Sequence, residues 1–395
     1  MEKTLLDIVL ILLFTKIGGS ISRKLKMPEV LGSLVAGLIL GPIVLNLVQY
    51  DNNIKLLSNL GVIMLMFLAG LETNAEEMKR AGLTSFTIAL AGIILPLILG
   101  TLGAYLFFSD FWENLFVGVI LTATSVSITV ETLKELGKLN TRTGVNILGA
   151  AVIDDVLGLI LISIVLAIAQ TGGPDSAASG TLAVFTVLIK IIFFCLFSIV
   201  GILYLPKYIN KFFDNLKKHS SILPICIACG IFMAYIAELL GIAAITGAYI
   251  CGLILSTYQH KEHLEKNVKS ISSGFLSLIF FASVGIEVNI NGLTWEVLLI
   301  TLIMFILAVV GKIAGCGGAA RLLKMTKSES VQIGIGMVSR GEVAIITAKI
   351  GLQKGILSEE IFLPTLIVVI LTTIITPVLL KISFSHRTEI NINSK

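Results

Sequence analysis

The sequence predicts an all-α polytopic membrane protein, and its composition and its long apolar runs carry that prediction. Of its 395 residues, 56% are hydrophobic and 14% are charged, whereas soluble domains carry about 25% charged residues. Apolar runs of about 20 residues, the length of a membrane-spanning helix, recur along the whole chain. The strands of a membrane β-barrel would instead give short segments of alternating polarity.

About thirteen transmembrane helices are expected, and the basic residues orient them. The predicted spans are 4–22, 29–47, 54–72, 82–108, 112–136, 143–169, 180–205, 221–238, 241–257, 271–287, 293–322, 328–351 and 360–382. Of the 29 Lys and Arg residues, 21 lie in one set of alternate connections, and only four lie in the opposite set. Because basic residues accumulate on the cytoplasmic side, we expect an N-terminus outside the cell membrane and a cytoplasmic C-terminus.

Two pairs of segments repeat at one sequence offset. Residues 32–40 read GSLVAGLIL and residues 247–255 read GAYICGLIL, so their numbers differ by 215. The same difference of 215 separates the GLETN of residues 70–74 from the GIEVN of residues 285–289. The glycines alone are explained by close packing of helices. The common offset, however, indicates an internal repeat.

The repeat predicts an inverted architecture. The paired segments lie seven helices apart, an odd offset, so the two copies would be inserted upside down relative to each other. Six-helix repeats of about 4–169 and 221–382 would flank a linker helix of about 180–205. Together they would form a single transmembrane domain, residues 1–390, with a short cytoplasmic tail at 391–395. Inverted repeats with a binding site at the membrane midplane are typical of secondary transporters.

The adjacent acids Asp154 and Asp155 interrupt the apolar run of residues 145–169. A carboxylate at the bilayer centre costs roughly 2.5–3.5 kcal/mol, so such acids usually mark ion pathways or proton relays. Consecutive helical residues point about 100° apart, so the two carboxylates should face different neighbours. Lys312, inside the eleventh span, is the expected partner of one of them. A purely structural ion pair is the alternative.

Two further spans carry residues that disfavour a continuous helix. Residues 121–129 read LTATSVSIT, and residues 334–342 read GIGMVSRGE. Ser125 and Arg340 are again 215 positions apart, so the repeat superposes the two segments. We therefore expect two discontinuous helices that cross. Their facing ends carry partial charges, which two charged side chains would compensate: Arg340 and Glu342. Three hydroxyl residues there would offer oxygens to a cation, unless they bond to their own helix: Thr124, Ser125 and Ser127.

These motifs together resemble the monovalent cation:proton antiporter superfamily, in particular the bacterial sodium/proton antiporters of its second branch. The resemblance rests on AAVIDDVLG at 150–158, TATSVSIT at 122–129, Lys312 and VSRGE at 338–342. It implies a homodimer of thirteen-helix chains in which a core domain moves against a dimerisation domain. It also implies that Asp155 binds the ion and that Asp154 pairs with Lys312. Its Asp-Asp members move net charge.

The function expected from these observations is secondary active transport rather than catalysis. Cytoplasmic Na⁺, or Li⁺ or K⁺, would be exchanged for external H⁺ by alternating access, with Asp155 and Asp154 holding the transported cation. The expected partners are these ions and the lipid bilayer, with no cofactor and no nucleic acid. A K⁺/H⁺ antiporter or a K⁺ efflux carrier is the alternative, and an uncoupled cation channel is the alternative of another class. An aspartyl protease is disfavoured because its two acids come from different helices.

Overall fold

The chain folds into a set of packed α-helices. The computed structural model describes residues 2–170, 177–205, 208, 222–258, 261–287 and 294–392. The helices are α1 Glu2–Lys24, α2 Glu29–Leu40, α3 Asn52–Glu72, α4 Ala75–Ala104, α5 Phe111–Thr122, α6 Val126–Glu135, α7 Arg142–Gln170, α8 Ala177–Tyr204, α9 Leu223–Leu239, α10 Ala244–Leu255, α11 Lys261–Ile271, α12 Ser277–Ile286, α13 Trp295–Leu322, α14 Lys327–Gly336, α15 Glu342–Gln353 and α16 Glu359–Ile392. A π-helical turn, Ser272–Leu276, joins α11 to α12.

Many of these helices match a membrane in length and polarity. Within the described ranges, eight spans are long and apolar enough to cross a bilayer, with α5–α6 and α11–α12 each counted as one. Shorter apolar stretches lie in α2, α8, α9, α10 and α15. The prediction of an all-α, multi-pass membrane protein is confirmed, while the number thirteen stays a prediction.

The structure corrects several predicted helix ends. The second span was expected to reach residue 47, but α2 ends at Leu40. Proline has no backbone N–H and cannot continue the hydrogen-bond ladder, so the chain turns at Gly41 and Pro42. The Leu47 amide then folds back to the Leu40 carbonyl at 3.0 Å. Before the tenth span, the structure has more helix than expected. Residues 261–271, expected to be a connection, form the amphipathic helix α11.

The helices pack as two bundles. The first bundle contains α1, α2, α3, α9, α10, α11 and α12, and the second contains α4 to α7 and α13 to α16. Helix α8 contacts α7 on one side and α10 on the other. Each bundle therefore combines helices from the two ends of the sequence, so the bundles do not coincide with the predicted sequence repeats.

Glycines allow the backbones of the first bundle to approach closely. A Cβ atom on Gly37 of α2 would lie 2.0 Å from the Ala282 carbonyl oxygen of α12. A Cβ atom on Gly252 of α10 would likewise lie 2.2 Å from the Phe67 oxygen of α3. Both distances are shorter than atoms tolerate, so only glycine fits either position. Gly37 and Gly252 differ by 215 in number, and so do Phe67 and Ala282.

Polar contacts join the two bundles beside the basic connections. The Glu135 carboxylate, at the end of α6, accepts hydrogen bonds from the first two amides of α2, those of Glu29 and Val30. A carboxylate is favourable there because a helix N-terminus carries free N–H groups and partial positive charge. The neighbouring Lys134 ammonium lies 3.4 Å from the Glu72 carboxylate at the end of α3. We call this set the inter-bundle contact.

Candidate functional site

The two adjacent acids lie in the middle of α7, inside the protein. Asp154 is 2% exposed and Asp155 is 6% exposed. Lys312 of α13 is fully buried, and its Nζ lies 3.1 Å and 3.2 Å from the two carboxylate oxygens of Asp154. Breaking such a buried pair by removing one partner typically costs 3–5 kcal/mol, because the other charge remains. The structure thus brings together the acid and the lysine that the sequence singled out.

Small residues place Lys312 close to α4 and α7. Gly311 and Gly315 lie on the face of α13 that packs against α4, and a Cβ atom on Gly311 would lie 3.1 Å from Pro96. A Cβ atom on Gly315 would approach the Ala91 carbonyl oxygen to 2.6 Å. Helices with small residues at their contact can lie close together. This packing encloses the lysine side chain within the second bundle.

Asp155 faces a different neighbour from Asp154, as the helical geometry predicts. The Thr246 hydroxyl lies 3.4 Å from Asp155 Oδ2 and donates a hydrogen bond to it. Thr246 belongs to α10 of the first bundle, whereas Asp155 belongs to the second. The second acid therefore lies where the two bundles meet.

Two helices are interrupted near the acid pair. The first break separates α5, which ends at Thr122, from α6, and the second separates α14 from α15. The Ser125 amide donates to the Ser339 carbonyl and the Ser339 hydroxyl donates to the Ser125 carbonyl, both at 2.7 Å. The Thr129 hydroxyl donates to the Gly336 carbonyl, also at 2.7 Å. These bonds replace the backbone partners that each helix loses at its break.

Arg340 occupies the crossing of the two broken helices. It is fully buried, and its guanidinium donates to the carbonyls of Val338, Leu121 and Ala308 at 2.8, 2.6 and 3.1 Å. Leu121 lies at the C-terminal end of α5 and Val338 just beyond α14. A cation is favourable there because helix C-termini carry partial negative charge. Glu342 begins α15, and its side chain lies outside the described part of the chain.

The hydroxyl residues predicted at the crossing are buried there. Thr124 and Ser125 lie in the linker between α5 and α6, and Ser127 lies in the first turn of α6. The hydroxyls of Ser125 and Ser127 lie 3.3 Å apart, and either one can be the donor. These two hydroxyls therefore place uncharged oxygen atoms next to each other inside the crossing.

Four residues of this region were not predicted from the sequence. Ser339 and Thr129 stand inside the quoted motifs but received no role, although Ser and Thr between glycines or β-branched residues often satisfy broken backbone. Thr373 of α16 donates to the Arg340 carbonyl. The roles of Thr373 and Thr246 could not be predicted from the sequence, because single threonines are common in membrane helices.

Comparison with known proteins identifies the family to which this arrangement belongs. Residues 9–384 match the family model described as "Sodium/hydrogen exchanger, transmembrane". The chain belongs to the sodium/hydrogen exchanger family. It is 39% identical to the Na⁺/H⁺-K⁺ antiporter GerN of Bacillus cereus, over 96% of each chain. It is 34% identical to a Na⁺/H⁺ antiporter of Enterococcus hirae, over 94% of this chain and 96% of that one.

The fold also matches a solved member of the exchanger class. The structure of the sodium proton antiporter MjNhaP1 from Methanocaldococcus jannaschii at pH 8 superposes with a TM-score of 0.67 and 18% identity, covering 97% of both chains. At that identity the likeness concerns the fold alone. The protein is therefore a multi-pass membrane protein with an antiporter fold, and its relatives are transporters rather than enzymes.

Proposed function

We propose that this exchanger-family protein moves Na⁺ out of the cytoplasm in exchange for external H⁺, by electrogenic alternating access in the cell membrane. The arrangement of the acid pair carries the proposal. Lys312 satisfies the charge of Asp154, while Asp155 lies between the two bundles. A proton and a cation both need the negative charge of a carboxylate, so each excludes the other from Asp155. Such competition at one site couples the two fluxes.

Movement of the second bundle against the first supplies alternating access in this proposal. The acid pair, Lys312 and the crossing all belong to the second bundle, so the site would move as one unit. The glycine contacts in the first bundle, Gly37 with Ala282 and Gly252 with Phe67, exchange places under the 215-residue offset. They support two inverted repeats within one transmembrane domain, since such symmetry underlies alternating access in transporters. In this proposal the protein forms a homodimer through the first bundle. Its N-terminus lies outside the cell and its C-terminus in the cytoplasm.

Two protons entering for each Na⁺ that leaves would move one net charge inward. The membrane potential then drives sodium extrusion by about 2.3 kcal/mol per 100 mV. Two groups can release protons into such a cycle, the Asp155 carboxyl and the Asp154–Lys312 pair. An exchanger with only one of them would trade one proton for one cation.

The proposal is tested by proton flux in proteoliposomes of the purified protein, with a pH indicator inside. A pulse of external Na⁺ should drive proton movement, and pulses of Li⁺ and K⁺ under the same conditions give the selectivity. The Bacillus cereus relative is a Na⁺/H⁺-K⁺ antiporter, which favours K⁺/H⁺ exchange as the second candidate. Cation flux without counter-flux of protons would contradict exchange and indicate a channel.

Alternating access predicts that the inter-bundle contact breaks during each cycle. In a background without the five native cysteines, Glu29→Cys and Glu135→Cys place two thiols at the contact between α2 and α6. A short reducible bifunctional thiol reagent should stop exchange in the double variant, because the second bundle can no longer move from the first. Reduction should restore it.

The two single-cysteine variants, treated in the same way, are the matched controls and should keep their activity. Full exchange by the double variant, with cross-linking shown on a gel, would mean that α2 and α6 stay together throughout transport. The bundles would then not move relative to each other at this end.

A further inference from the structure

We infer that the Thr246 hydroxyl is a direct ligand of the transported monovalent cation, supplied to Asp155 by the opposite bundle. The inference rests on the proposed function and adds a residue that the acid pair alone does not indicate. Thr246 is 2% exposed, and its hydroxyl oxygen lies 3.4 Å from Asp155 Oδ2. A carboxylate oxygen and a neutral hydroxyl oxygen so close together can bind one hard cation between them, since hard cations prefer oxygen ligands.

The position of Thr246 in its helix explains why its hydroxyl points away from its own backbone. Buried threonines within other helices of this protein donate to a carbonyl one turn back, as Thr301 does to Val297 and Thr365 to Ile361, at 2.7 and 2.9 Å. Thr246 is the third residue of α10, which begins at Ala244. No full helical turn precedes it, and the Ala243 carbonyl three residues back accepts the backbone N–H of Thr246 at 3.0 Å, whereas the hydroxyl donates to Asp155.

Close packing of the first bundle fixes the start of α10. The neighbouring Gly247 approaches α9 so closely that a Cβ atom would lie 2.2 Å from the Met233 carbonyl oxygen. Further along α10, Gly252 contacts α3 in the same manner. These two contacts hold α10 against its own bundle. The hydroxyl of Thr246 is therefore presented to α7 from a rigid support.

A ligand from the opposite bundle makes cation affinity depend on the relative position of the bundles. Asp155 moves with the second bundle, whereas Thr246 stays with the first. When the bundles shift, the hydroxyl and the carboxylate separate, and the cation loses one oxygen ligand. A ligand that binds one conformation more tightly favours that conformation. Thr246 thus assists cation binding in the state seen here and its release in the other.

Thr246→Val and Thr246→Ser test this role in purified protein. Valine keeps the shape without the oxygen, so the half-saturating Na⁺ concentration for proton flux should rise about tenfold, the usual effect of losing a hydrogen bond to a charged group. The maximal flux should change less than the half-saturating concentration. Serine keeps the oxygen and should restore Na⁺ affinity. Thr365→Val, at a buried threonine bonded to its own helix, is the matched control and should behave as the wild type.

Sodium-dependent thermal stabilisation gives a second readout, because a ligand raises the melting temperature of the protein that binds it. The stabilisation should need about tenfold more Na⁺ in Thr246→Val than in the wild type. Equal Na⁺ dependence in these two proteins would overturn the inference, and so would equal loss in the Val and Ser variants. A wild type that binds Na⁺ without exchanging protons would contradict the proposed function instead, while the melting experiment would still decide the role of Thr246.

Discussion

Replacement of Asp155 by Asn is expected to abolish cation-driven proton flux while the protein remains folded. Asparagine has nearly the same shape as aspartate but carries neither a negative charge nor a titratable proton. Its side-chain carbonyl can still accept the hydrogen bond from Thr246. Both halves of the exchange therefore lose their binding group, whereas the contact between α7 and α10 is kept. Flux should fall to the level of liposomes without protein.

Asp110→Asn is the matched control for this variant. Asp110 is an exposed residue whose carboxylate caps the N-terminus of α5, accepting the Glu113 amide at 2.7 Å. Asparagine caps a helix about as well as aspartate, so this variant should exchange ions at the wild-type rate.

Sodium binding separates a lost site from a lost motion in Asp155→Asn. In wild-type protein, Na⁺ at 100 times its dissociation constant should stabilise the folded state by about 2.7 kcal/mol. The variant should show no Na⁺-dependent rise in melting temperature, although it elutes from gel filtration as the wild type does. Undiminished exchange in a correctly folded Asp155→Asn protein would refute the assignment of the cation to this acid.

The residues that could be predicted from the sequence are those whose burial in a membrane span costs the most free energy. Asp154, Asp155 and Lys312 stand out because charges are expensive inside an apolar span. The two helix breaks were equally visible, since hydroxyl residues interrupt strongly apolar sequence at 121–129, and glycines and charged residues interrupt it at 334–342. The ion pair between one of these acids and Lys312 was predicted because a buried charge needs a partner of opposite charge.

Other features depend on tertiary contacts that single residues do not announce. A threonine such as Thr246 adds little free-energy cost to an apolar helix, so the sequence does not mark it. Its contact with Asp155 follows only from the placement of α10 opposite α7. The division into two bundles could likewise not be predicted from the order of the helices. Helix α3 packs on α10, which is distant in sequence, rather than on its sequence neighbour α4. The end of α2 at Leu40 was misjudged because apolar residues continue beyond Pro42. Hydrophobicity locates a span, but local backbone chemistry ends its helix.

Replacement of Lys312 by Ala is expected to change both the stability of the protein and the charge that it moves. Asp154 would lose the ammonium that now lies 3.1 Å from it, in a site that is almost fully buried. An unpaired buried charge costs several kcal/mol, so the melting temperature should fall. The double variant Lys312→Ala with Asp154→Asn removes both charges and should recover most of that loss. Lys190→Ala, at an exposed lysine of α8, should leave the melting temperature unchanged.

The transport consequence of Lys312→Ala is measured as the dependence of exchange on membrane potential. For one net charge per cycle, 100 mV should shift the Na⁺ gradient at which net flux stops by about 50-fold in the wild type. Without Lys312, the buried Asp154 carboxyl should keep its proton throughout the cycle, because burial disfavours an unpaired carboxylate. Asp155 would then be the one group that trades protons, so exchange should become one for one and this shift should vanish. The double variant should also lack the shift, although its stability recovers, because restoring the fold does not restore the second proton. An unchanged shift and an unchanged melting temperature in Lys312→Ala would remove this lysine from the mechanism.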